Sequence, residues 1–193
     1  MWVRATAIRP VPSFARVSSA SIDAVRDDLS DDEEAAREQL DQAFERFERE
    51  QPCLSAHIGD ELSKPLDETA LALGYFLALS VWMAFDKAHC GQVEQVDAEC
   101  IASTQALLDL DEELRRADPT ESLDSDDVVG MEQPALIEFV HEHVNATLEA
   151  NAAHVDVDDV DIIYHIILVE VLSLSYSVTR PAGYPLGRIE IQA

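Results

Sequence analysis

The chain has 193 residues, 39 of them acidic and 13 basic, for a formal net charge of −26. Apolar residues make up 47%, enough for one packed core and too many for a disordered acidic chain. That charge excludes a simple nucleic-acid binder, whose surface must attract phosphates, and it opposes docking on anionic lipid.

The cations are eleven arginines and two lysines, Lys64 and Lys87. A lysine-poor, carboxylate-rich surface suits high-salt surroundings, where ions screen self-repulsion. The alternative is an acidic face shaped for a basic partner. Cys53, Cys90 and Cys100 follow no regular spacing, and the first residues hold no apolar run of signal-peptide length. A reducing, cytoplasmic setting is therefore expected. Arg4, Arg9, Arg16, Arg180 and Arg188 sit near the two ends, which hold only one acid, Glu190. Basic ends on an acidic body are expected to fold back onto it.

Residues 1–22 read as an extended basic arm and linker: weak alternation from Trp2 to Arg9, then Pro10 and Pro12, then small polar residues. Ser30-Asp31-Asp32-Glu33 has the form of a capping box. It predicts a helix to Glu50 with Ala36, Leu40, Ala43, Phe44 and Phe47 on one stripe. Pro52 fits the first turn of a second helix, with Leu54, Ile58 and Leu62 inward and Pro65 beyond its end. Asp67 is placed to cap a third helix, which runs without a charge from Ala70 to Phe85. That run is short for a bilayer and reads as a buried central helix, with Gly74 at a close helix contact.

A fourth helix is predicted from near Val93 to just before Pro119, with Val96, Cys100, Ile101, Thr104, Leu107, Leu108 and Leu114 inward. Thr120 to Gly130 reads as an acidic loop. A further amphipathic helix spans Glu132 to Ala150, burying Leu136, Ile137, Val140, Val144 and Leu148. Asp161 to Val178 is apolar nearly all round; its Val and Ile content favours strand, but its length decides for helix. Residues 180–193 form an extended tail, and residues 2–8 are able to pair with residues 188–192.

Glu50-Gln51-Pro52-Cys53-Leu54 and Glu132-Gln133-Pro134-Ala135-Leu136 match at four of five positions. Each is followed by an amphipathic helix, an acidic turn, and a long uncharged helix with a tyrosine near its start, Tyr75 or Tyr164. This order suggests pseudo-repeats at about 50–88 and 132–178. The expected fold is an all-α helical bundle within residues 23–179. It has two pseudo-duplicated helical hairpins around two central apolar helices, and short extended ends.

Few residues point to chemistry. Glu170 and His165 lie inside the last apolar helix, where a buried carboxyl must find a donor or keep a proton. With Tyr164 and Tyr75 they form the buried polar candidates, expected near the crossing of the central helices. Asp86-x-x-His89 and Glu138-x-x-His141 are the weak metal candidates, since di-metal bundles use such pairs. The repeat does not superpose them, and no metal or other cofactor is expected. Asp156 to Asp161 reads as helix capping by Asp158 or Asp159, and the runs Asp109–Glu113 and Asp124–Asp127 as solvated surface. Cys53 reads as a packing residue. Phosphate loops and nucleophile elbows are missing from the sequence.

These observations favour a non-catalytic, cytoplasmic protein-binding module of adaptor, chaperone or inhibitor type. It would act through a protein partner, basic where the acidic runs Asp27–Glu34 and Asp109–Glu113 make contact. Nucleic acid and membrane are not expected as partners. Self-association as a homo-oligomer through an exposed apolar face is a further expectation. The alternative is a helical small-molecule- or metal-dependent enzyme built on the central polar cluster.

Overall fold

In the computed structural model, residues 6–30, 33–117, 125–151 and 156–184 are described. Eight α-helices pack as a bundle: α1 (Ser19–Ser30), α2 (Glu33–Glu50), α3 (Pro52–Leu62), α4 (Glu68–His89), α5 (Ala98–Ala117), α6 (Ser125–Glu132), α7 (Pro134–Asn151) and α8 (Val157–Tyr176). The all-helical expectation holds. The two apolar helices α4 and α8 pack on each other at the centre, and the other helices cover them. Gly74 is there for packing. A Cβ on it would lie 2.7 Å from Leu62 Cδ2 and 2.8 Å from Ile163 Cδ1, so side chains of α3 and α8 fill the space that a side chain at this position of α4 would take.

Caps explain where the central helices start. Asp67 Oδ1 accepts from the backbone N–H groups of Thr69 and Ala70, as an N-cap should. These bonds, Ala70's foremost, hold its carboxyl below the usual range. Asp156, rather than Asp158 or Asp159, caps α8 by accepting from Asp158 N. Asp159 instead accepts from Asp67 N at 2.7 Å and Asp67 accepts from Asp156 N at 3.2 Å. The starts of α4 and α8 are thereby tied together.

The Glu-Gln-Pro match has a structural basis. Gln51 and Gln133 are both buried, each between a helix and the proline that opens the next. Gln51 donates to Glu94 O and accepts from Val96 N. Gln133 donates to Ala15 O and accepts from Val17 N. Each amide thus satisfies a carbonyl and, two residues on, an N–H of an extended segment, which buried backbone requires. The helices that follow the two motifs differ in length, 11 residues for α3 and 18 for α7.

Several expectations need correction. Residues 6–22 are not a loose arm: Ile8, Val11, Ala15, Val17 and Ile22 are core residues, a 3-10 turn spans Ser13–Ala15, and α1 already starts at Ser19. The fourth predicted helix, α5, starts at Ala98, because Val93 is instead bridged antiparallel to Val178 and Asp97 accepts from Cys100 N. The acidic loop after Thr120 contains α6. Asp111 is not solvated surface. It is fully buried and accepts from Thr6 Oγ1, Ala7 N and Ser125 Oγ, tying the N-terminal segment to α5 and α6. Cys53 is exposed rather than packed. Ser30-Asp31-Asp32-Glu33 and the pairing of residues 2–8 with 188–192 extend outside the described residues.

The basic N-terminal segment does fold back. Arg16 pairs with Glu132 at 3.1 Å, and the Arg9 guanidinium lies 4.4 Å from the centre of the Tyr176 ring.

Candidate functional site

The four buried polar candidates go to three separate places. Gly74 faces Ile163 at the α4/α8 contact. Tyr75 and Tyr164 are the next residues along, and one residue rotates a helical side chain by about 100°. That step turns both tyrosines away from the contact. Tyr75 is 41% exposed beside α2 and α3. Tyr164 and His165 line a cleft of about 540 Å³ between α5, α6 and α8. Glu170 reaches neither.

Glu170 is sealed. Its exposure is 0%, and neither carboxyl oxygen has a hydrogen-bond partner. Burial raises its pKa well above the ordinary value, so it persists as a neutral acid. A group without access to solvent or ligand moves no proton for a substrate.

The polar cleft holds Glu112, Arg116, Asp126, Tyr164 and His165. His165 Nδ1 lies 3.7 Å from Glu112, which also pairs with Arg116 at 3.0 Å. Tyr164 Oη lies 2.7 Å from His141 Nε2, and Asp126 stands 3.8 Å from the same nitrogen. Burial first, then the charges of Asp126 and Asp127, push the Tyr164 hydroxyl far above its ordinary range. It stays protonated and hydrogen-bonded to His141. A tyrosine held this way orients a ligand but does not attack one.

The weak metal candidates do not assemble into a ligand set among the described residues. Asp86 pairs with Arg46 at 2.6 Å. His89 is buried and hydrogen-bonded to the Ala15 backbone; burial outweighs that bond and holds the ring below its ordinary pKa. Glu138 is exposed, and His141 faces Tyr164. Among the described residues, no three His, Cys, Asp or Glu side chains form a group able to hold a metal ion.

The feature the sequence reading missed is an apolar groove of about 480 Å³ between α2, α3 and α4. Phe44, expected inward on the α2 stripe, is 40% exposed and forms one wall; Tyr75 forms another. Phe47 and Ile58 lie deeper, and Ala56 and Gly59 leave the α3 side low. Glu48 and Asp60 are its charged lining residues, and no Lys or Arg joins them. The signal was present in sequence as two small residues, Ala56 and Gly59, one helical turn apart on α3.

α4 is long and apolar enough to cross a bilayer, but most of it is buried inside the bundle. Family models, curated proteins and solved structures give no match to the chain.

Proposed function

We propose that the chain is a non-catalytic protein-binding module of adaptor, chaperone or inhibitor type, acting on a partner that carries basic charge. The observation that carries this reading is the α2–α3–α4 groove: an open apolar recess with two exposed aromatic walls and only acids among its charged lining residues. Exposed aromatics beside a recess are the usual anchors of interfaces. A net charge of −26 adds long-range attraction for a cationic surface. A cytoplasmic setting fits the three free cysteines, and adaptation to high salt fits the lysine-poor surface. The two glutamine clasps support a duplicated hairpin as the origin of the scaffold.

The test is affinity capture from the native host with the wild-type chain and with Phe44→Ser/Tyr75→Ser. A stoichiometric partner retained by the wild type and lost by the double variant supports the reading. Capture of nothing refutes it, whereas capture of the same proteins by both removes the groove as its contact surface.

A second reading, a ligand-binding or catalytic helical protein, has one observation in its favour: the hydrogen-bonded Tyr164–His141 pair at the cleft between α5, α6 and α8. Thermal-shift screening against small polar ligands distinguishes it. A hit abolished by Tyr164→Phe places binding in that cleft.

A further inference from the structure

We infer that the groove between α2, α3 and α4 is the docking site for an amphipathic helix carried by a basic partner protein; this rests on the binding-module reading and specifies its contact. The argument begins with Gly59. It lies inside α3, where glycine costs helix stability relative to alanine, and no turn geometry requires it, because it is not among the positive-φ glycines. Packing does not require it either, since a Cβ built there meets nothing within 4 Å. Gly74 is the opposite case, with two side chains inside 3 Å of its missing Cβ. Gly74 closes the core; Gly59 keeps a recess open.

The recess lies between helices, so its walls offer side chains rather than free backbone N–H and C=O groups. A partner strand would find no edge to extend, whereas a helix can lay an apolar stripe at i, i+3/i+4 and i+7 between Phe44 and Tyr75. Glu48 and Asp60 then face whatever flanks that stripe. Two carboxylates with no cation among the lining residues select arginine or lysine there. A second copy of this chain is a poor occupant, because two bodies of charge −26 repel at low ionic strength.

The test uses the full chain and a synthetic amphipathic helix with leucines at i, i+3 and i+7, flanked by arginines. Its controls are a scrambled peptide and a version with glutamates in place of the arginines. Binding is read by fluorescence anisotropy, with melting temperature and light scattering measured on every variant. Wild type binds the basic helix in preference to both controls. Gly59→Leu fills the recess and weakens binding by about tenfold or more without lowering the melting temperature. Phe44→Lys does the same from the α2 wall, without altering α3. Glu48→Lys/Asp60→Lys weakens binding at low salt and much less in molar salt, where the screening length falls to about 3 Å.

Equal binding of basic and scrambled peptides, or indifference to both Gly59→Leu and Phe44→Lys, overturns the inference, as does failure of wild type to bind. A dimer that Gly59→Leu dissolves also overturns it, in favour of self-association. Host partners captured equally by wild type and Gly59→Leu leave the binding-module reading standing and remove only the groove. Capture of no partner at all removes both.

Discussion

Replacing Glu170 tests the interior directly. Its carboxyl is fully buried without a hydrogen-bond partner and holds its proton because burial disfavours the anion. Glu170→Met keeps the shape approximately and removes an unsatisfied polar group, which gains about 1–3 kcal/mol. A second contribution depends on pH. Native Glu170 binds its proton more tightly than the unfolded chain does, where the carboxyl titrates near 4.5. Wild-type stability therefore falls as pH rises above that value, by about 1.4 kcal/mol per pH unit until the raised native pKa is passed. The Met variant lacks this slope but keeps every other acid, so the difference between the two proteins isolates it. From pH 5 to pH 7 the advantage of Glu170→Met should widen, read as a growing gap in melting temperature between the two proteins. Glu170→Gln, polar but unable to ionise, should show the widening without the full offset. Melting by circular dichroism at both pH values decides. Parallel curves, or a Met variant less stable than wild type at both pH values, would mean that Glu170 is a partnered carboxylate and the reasoning is wrong.

Asp111→Ala orphans Ala7 N–H and the hydroxyls of Thr6 and Ser125. A loss of about 2–4 kcal/mol in urea unfolding is expected, with protease cleavage near the N-terminus appearing first. Gln51→Leu and Gln133→Leu each leave a carbonyl and an N–H of a clasped segment without their partner, so each should lose about 2–3 kcal/mol; a neutral result at either would show that the clasp is not structural. Gly59→Ala should stabilise by about 0.5–1 kcal/mol through helix propensity, whereas Gly74→Ala should destabilise by about 1–3 kcal/mol through overpacking, measured side by side by thermal melts. Melting temperature should climb from low to molar KCl as the self-repulsion of −26 charges is screened; a flat response counts against adaptation to salt.

Helix identity was readable where one signal dominated. The uncharged run of α4, the proline opening α3 and the aspartate at Asp67 each act within one helical turn, and local rules are sufficient there. The misses involve partners distant in sequence. Asp111 sits in a run of acids that reads as surface, yet it is buried because Thr6, Ala7 and Ser125 supply donors from elsewhere in the chain. The arm that carries Ile8, Val11 and Val17 looks like a linker, since its apolar residues show no helical period. It is core because Gln133 and Asp111 satisfy its backbone. Val93 scans as the start of a helix, and only its bridge to Val178 makes it extended.

The same distinction explains the site. Tyr75 and Tyr164 do lie next to the crossing of the central helices, as their place in the sequence suggests. A contact made by Gly74 and Ile163 nevertheless fixes the rotation of both helices and sends the tyrosines to different surfaces. Periodicity tells which residues share a face, but not which faces meet, because that depends on where two helices approach most closely. The small residue at Gly74 sets that approach. Gly59, equally small but with nothing packed against it, is read as open space only once α2 and α4 are placed beside α3. Glycine in a helix is one signal with two meanings, a close contact or a vacancy, and the neighbouring helices decide between them. Here they assign one glycine to holding the bundle together and leave the other beside an open recess.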